Sequence, residues 1–212
     1  MFTPKKFVSS KFPGEYLDYL CYEPQSGEKM PLIIKLPGAG GRGTDLKQLG
    51  TGGFFQAVTE MGGVPARAVV PQCRFETWFD YFHVLCEFIE TQIHQPDIDA
   101  QRVYLMGTSM GAYCAWQLCI SHPEWFAAAV PVCGGGMYWD AGRIQKIPVW
   151  AFHGEKDDTV YCCESEFMVD RINQCGGNAK LTILPDVNHN AWDYAYFRDD
   201  MWQWLFEQKK EC

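Results

Sequence analysis

The chain has 212 residues, of which 47% are hydrophobic, 15% aromatic and 21% charged, with a formal net charge of −8. That length can bury the core of one α/β domain over residues 1–212, and 14 Phe, 10 Tyr and 8 Trp exclude a disordered chain. The acidic balance argues against a nucleic-acid partner, and no apolar run reaches the roughly 18 residues of a membrane-spanning helix.

The opening Met1–Lys6 leads into polar residues rather than the apolar stretch of a signal peptide. The first strand expected is Tyr16–Glu23, whose alternation puts Leu17, Tyr19 and Cys21 on one side, as in a half-exposed antiparallel edge strand. The second, Pro31–Pro37, is a continuous apolar run (Leu32-Ile33-Ile34) of the kind covered on both faces. It runs into Leu36-Pro37-Gly38-Ala39-Gly40-Gly41-Arg42-Gly43. Glycines there let backbone N–H groups turn toward an anion without Cβ atoms in the way. No Gly-Lys-Ser/Thr follows, which argues against a phosphate loop.

A third strand, Ala66–Pro71, precedes a helix whose apolar stripe is Trp78, Phe82, Leu85, Ile89 and Ile93. The fourth strand, Arg102–Gly107, ends in Gly107-Thr108-Ser109-Met110-Gly111, a G-x-S-x-G, and a helix-like Ala112–Ile120 follows. With 20 Gly and six Ser, chance would give about 0.05 such matches, so the strand–turn–helix context carries the reading. A sharp turn of this kind lifts the Ser109 hydroxyl clear of the sheet, above a helix N-terminus that favours a developing anion. The expected oxyanion donors are the amides of Met110 and Ala39.

Phe126–Cys133 and Pro148–Gly154 are the next strands, the latter containing Val149-Trp150-Ala151-Phe152. A serine nucleophile needs a base and an acid that orients it. Asp157, Asp158, Asp186 and Asp193 are the acid candidates; Asp157 is favoured, just past the carboxyl end of a buried strand, with Asp158 as its solvated neighbour. Met168, Ile172 and Cys175 mark a helix ending at Gly176-Gly177, and Lys180–Pro185 is the last strand. Of the five histidines, His83 and His94 belong to the amphipathic helix, His122 to a helix end and His153 to a strand end. His189, in the loop before a final helix marked by Met201, Trp202, Leu205 and Phe206, is the one free of a packing or capping explanation. The ten cysteines include no CxxC, and Cys21, Cys114, Cys119 and Cys133 sit in apolar patterns, so reduced thiols in a cytoplasmic compartment are expected.

Strand–helix alternation, with the strands after the first, Lys180–Pro185 included, expected to be covered on both faces, implies a mainly parallel twisted sheet with helices on both faces. From about Leu32 to Gln208 the chain resembles the α/β-hydrolase superfamily, in the carboxylesterase/dienelactone-hydrolase-like group that includes feruloyl and acetyl-xylan esterase-like enzymes. The resemblance rests on Leu36–Gly43, Val70-Pro71-Gln72-Cys73, Gly107–Tyr113, Ala127–Gly136, Ala151–Val160 and Leu184–Tyr196. His153-Gly154-Glu155-Lys156-Asp157-Asp158-Thr159-Val160 is similar to the family's H-G-x-x-D-x-x-V, which implies the acid at Asp157. Asn188-His189-Asn190-Ala191-Trp192 resembles its catalytic-histidine loop. Pro37 stands where the family usually has His, and a serine rather than a cysteine nucleophile points to the esterase branch.

The expectation is a serine carboxylester hydrolase acting on a small-molecule ester, with Ser109, Asp157 and His189 as its triad and no metal or organic cofactor. Gly40, Arg42, Trp78 and Trp192 are candidates for contact with the substrate. The connection from about Gly134 to Ile147 is too short for a helical cap domain, so an open cleft for short or compact aromatic acyl groups is expected. The alternatives are a small peptidase or thioesterase of the same fold, or a protein of this fold that binds ligands without catalysis. Oligomeric state is not legible in the sequence.

Overall fold

The computed structural model describes residues 1–25, 28–50 and 52–210. Cys212, one of the ten cysteines, lies outside the described residues, and the other nine are free thiols.

Eight strands form one sheet in the order β1-β2-β4-β3-β5-β6-β7-β8. They are β1 (Thr3–Val8), β2 (Tyr16–Tyr22), β3 (Met30–Leu36), β4 (Arg67–Pro71), β5 (Ile98–Thr108), β6 (Ala128–Val132), β7 (Val149–Gly154) and β8 (Ala179–Leu184). β1 and β2 pair antiparallel, as do β2 and β4; every other neighbouring pair is parallel. The helices are α1 (Leu46–Leu49), α2 (Gly53–Glu60), α3 (Phe82–Ile93), α4 (Met110–Ser121), α5 (Cys163–Gln174), α6 (Trp192–Ala195) and α7 (Asp199–Glu207). This is the α/β-hydrolase fold.

The two-residue period of a strand sorts the apolar residues of β3 onto the two faces. Leu32, Ile34 and Leu36 pack with α3, α4 and α5 through Leu85, Trp116 and Met168. Ile33 packs on the other face with Phe54 of α2 and Trp202 of α7. Both layers exclude water, which is why the central strands read as unbroken apolar runs.

Three expectations are corrected here. β2 is antiparallel but is not the edge, because β1 lies outside it. The parallel edge is β8, which is half-exposed rather than covered on both faces. Trp78 is not part of a helix: it precedes a 3₁₀ turn at Phe79–Tyr81, and α3 begins at Phe82. Gly176 takes φ +84° just past α5, the left-handed conformation that ends a helix there. Between β6 and β7 the chain makes only a 3₁₀ segment, Tyr138–Ile144, so no helical cap is inserted. No helix of the described residues is long and apolar enough to cross a membrane.

Candidate active site

The site is built on the carboxyl ends of β5, β7 and β8. Ser109 follows β5 directly and holds φ 54°, ψ −119°, a strained conformation for a residue with a Cβ. Its neighbours explain how the strain is maintained. A Cβ on Gly107 would come within 2.4 Å of the Gly111 carbonyl oxygen, and one on Gly111 within 2.2 Å of the Leu36 carbonyl oxygen. Strand and helix can approach this closely only with glycine at both places. The Ser109 amide donates to the Val132 carbonyl at 2.8 Å, and its carbonyl accepts from Ala112 at 2.8 Å and Tyr113 at 3.1 Å.

The turn presents the Ser109 hydroxyl to His189, with Oγ 2.8 Å from Nε2, and the opposite ring nitrogen, Nδ1, lies 2.7 Å from Asp157 Oδ2. Asp157 Oδ1 accepts the amides of Thr159 at 3.0 Å and Val160 at 2.9 Å. Burial alone would raise the Asp157 pKa, but the hydrogen bonds from His189, Val160 and Thr159 outweigh it and hold the carboxyl below its ordinary range. Because an ionised Asp157 accepts from Nδ1–H, Nε2 keeps the lone pair facing Ser109. Trp192 meets the His189 ring edge-on at 5.3 Å. Asp158 is exposed, Asp186 pairs with Lys156, and Asp193 accepts from Asn190, so none of these reaches His189.

The two expected oxyanion amides stand at first-turn positions. Met110 opens α4, and Ala39 opens the 3₁₀ turn Ala39–Gly41, so neither N–H has a partner within its own helix. The loop bearing Ala39 is anchored from several sides. Trp78 Nε1 donates to the Pro37 carbonyl at 3.0 Å, and Gln72 Nε2 to the carbonyls of Gly41 at 3.3 Å and Asp45 at 3.2 Å. Gly43 donates to the Cys73 carbonyl at 2.9 Å. The first two anchors are buried side chains that sequence reasoning did not assign this task. The Trp78 bond ties down the loop at Pro37.

A cleft of about 410 Å³ opens beside Ser109, lined by Gly40, Phe54, Phe55, His189 and Trp192 among others. Two of the expected contact residues do not line it. Trp78 is fully buried beneath the loop. Arg42 is not part of the lining; its Nε donates to the Ala39 carbonyl, and it pairs with the exposed Glu76 at 2.7 Å. Cys133, His153 and Asp157 place ligand-type atoms within 4.8 Å of one another. They are a poor metal set, because burial pushes the Cys133 thiol up to about 12 and both His153 nitrogens are engaged, by Ser165 at 2.7 Å and Val160 at 2.8 Å.

Lys35 carries no signal in the sequence, yet it lines the cleft while only 5% exposed. Burial alone drives its pKa down to about 7. The unfolded chain therefore binds more protons than the folded one between about pH 7 and 10.5, and the penalty for a buried ammonium is fully present below pH 7. Lys35→Met is accordingly expected to stabilise the protein at pH 6, by a few kcal/mol at most once its two hydrogen bonds are lost. The gain should shrink as pH rises through that window and vanish near its upper end. Urea unfolding of both proteins at pH 6 and pH 10 measures it; an equal difference at the two pH values would assign the effect to packing instead of charge.

Residues 76–196, more than half of the chain, match the phospholipase/carboxylesterase family. No curated protein matches the sequence. Among solved structures, a thermostable esterase superposes with a TM-score of 0.86 at 28% identity; the match covers 99% of this chain and 63% of that one. Est1E from Butyrivibrio proteoclasticus gives 0.72 at 14% identity, covering 96% and 98%. A putative dienelactone hydrolase from Klebsiella pneumoniae subsp. pneumoniae gives 0.68 at 15%, covering 98% and 96%. The last two likenesses concern the fold alone. The chain thus spans less than two thirds of the esterase that it resembles at 28% identity.

Proposed function

The chain belongs to the phospholipase/carboxylesterase family, and from that premise we propose that it is a serine carboxylester hydrolase working through an acyl-enzyme. The observation that carries the reading is the unbroken hydrogen-bonded line Asp157–His189–Ser109, ending at a strained serine. Ser109 Oγ attacks the ester carbonyl as its proton passes to His189 Nε2. Asp157 stabilises the resulting imidazolium and fixes its orientation. The amides of Ala39 and Met110 receive the oxyanion. Collapse of the tetrahedral intermediate expels the alcohol with the proton from His189. Water, activated by the same imidazole, then releases the acid and restores Ser109. No step calls on a metal or an organic cofactor. Residues 1–212 are read as one domain, and a thiol-rich composition without CxxC pairs favours a cytoplasmic location.

Covalent labelling by a fluorophosphonate probe, located at Ser109 by peptide mass spectrometry, tests the reading; an unlabelled Ser109 in folded protein would remove it. A parallel panel of ester, thioester and peptide substrates separates the ester reading from the other acyl-transfer chemistries of this fold.

The cleft also sets an expectation for chain length. With no inserted cap, a long acyl chain leaves most of its methylenes in water, and each forgoes about 0.8 kcal/mol of burial. The p-nitrophenyl ester series is expected to peak in kcat/KM between acetyl and butyryl and to show no rate increase at a lipid–water interface. A maximum at dodecanoyl or longer would show that a cover forms over the cleft.

A further inference from the structure

The hydrolytic steps leave one charged group of the cleft without a task. Lys35 lies on β3 directly before the oxyanion loop, and its ammonium has three hydrogens to donate. The Leu36 carbonyl accepts one at 2.9 Å and Thr108 Oγ1 a second at 2.9 Å. Among the described residues the third has no acceptor. Its nearest further compensation is the face of Tyr196, whose ring centroid lies 5.4 Å from Nζ. Tyr196 OH is 2.6 Å from Thr108 Oγ1, and burial holds this phenol in its neutral form. Among the described residues no Asp or Glu lines the cleft.

A buried cation with an unused donor, facing a cavity with apolar walls, binds a carboxylate better than a neutral group of the same shape, because water screens the attraction only weakly at a group 5% exposed. Thr108, which holds the ammonium, is the residue immediately before Ser109. Lys35, Thr108 and Ser109 all line the same cleft of about 410 Å³, so the charge and the nucleophile face one bound acyl group through a short linker. The neutral walls of Phe54 and Phe55 would flank that linker. We propose that the acyl group accepted by this cleft ends in a carboxylate bound to Lys35, which makes half-esters of short dicarboxylic acids the substrate class. Each turnover consumes one water, breaks the ester C–O bond at Ser109 and gives the alcohol and the dicarboxylate. This inference rests on Ser109 being the nucleophile of an ester hydrolase. The lowered pKa of Lys35 fits a cation that lacks its anion in the empty cleft.

Monoethyl succinate and its neutral isostere ethyl succinamate, assayed at pH 6.5 by alcohol release, test it together with fluorophosphonate labelling of Ser109. The wild-type protein is expected to favour the succinate half-ester by about tenfold or more in kcat/KM, and Lys35→Met or Lys35→Gln to bring that ratio to one or below. The ratio within each protein is the readout, so a general loss of activity in the variants does not imitate the effect. Should neither variant fold, the wild-type ratio decides. Labelled Ser109 with a wild-type ratio of one or less would overturn the carboxylate inference and leave the hydrolase reading standing. An unlabelled Ser109 with neither ester hydrolysed would overturn both.

Discussion

Ser109→Ala is expected to lower kcat by roughly 10⁴ to 10⁶ while the thermal unfolding curve stays within a few degrees of wild type. The asymmetry follows from what holds the turn. Its conformation is imposed by backbone contacts: the amide bond to Val132, the bonds that the Ser109 carbonyl accepts, and the close approaches at Gly107 and Gly111. Alanine keeps all of them and loses only Oγ, which leaves His189 Nε2 without the hydroxyl it faces at 2.8 Å. Substrate affinity should change little, because the cleft walls and the amides of Ala39 and Met110 remain. Steady-state kinetics beside circular-dichroism melting measure both halves of the expectation. A variant retaining a tenth or more of wild-type kcat would remove Ser109 from the mechanism.

Asp157→Asn should come next in severity, at roughly 10³ to 10⁴ in kcat, with Asp158→Asn within about threefold of wild type. Asp157 Oδ1 is committed to the amides of Thr159 and Val160, which only donate. In the asparagine variant those amides keep the carbonyl oxygen on their side and turn the NH₂ toward His189 Nδ1. A donor facing Nδ1 forces the ring proton onto Nε2, and a protonated Nε2 cannot accept from Ser109. The substitution therefore inverts the histidine tautomer while almost preserving shape. Asp158 is exposed, and its hydrogen-bond contact with Thr159 Oγ1 is 3.4 Å long, so its charge has little to lose. An inactive Asp158→Asn beside an active Asp157→Asn would reverse the assignment of the acid.

Much of the parallel half of the fold was legible because burial on both faces leaves a plain mark, an uninterrupted apolar run of strand length. The elbow was legible because its steric demand selects glycine at two fixed positions around a serine. The parts that escaped lack such a mark. β1, with the sequence TPKKFV, is mostly exposed, and its Pro4, Lys5 and Lys6 suit an outermost strand that must not recruit another chain. α2 starts from Gly52-Gly53, residues that read as a loop until Phe54 and Phe55 are seen packed under the sheet. Trp78 fits the helical period of α3 by spacing alone, whereas its indole N–H shows that its place is beneath Pro37. Lys35 is the sharpest case. Within an apolar strand, a lysine that reaches solvent and one that ends in a buried cleft have the same sequence, and only the second layer of helices distinguishes them.

The wide spacing of the site along the chain has a consequence for how the molecule is made. His189 meets Ser109 across 80 residues and Asp157 across 32. The strands that carry them, β5, β7 and β8, are brought side by side with β6 between the first two, and β6, β7 and β8 each join in parallel after a helical crossover or a long connection. Closing loops of that length before their contacts are rewarded is the slow part of forming a parallel sheet. A nascent or refolding chain can thus carry native helices and a finished turn at Ser109 while the serine has no base to activate it. On the proposed mechanism Ser109 is not activated until the β8 edge is zipped in place, so a half-folded chain would not cleave esters around it.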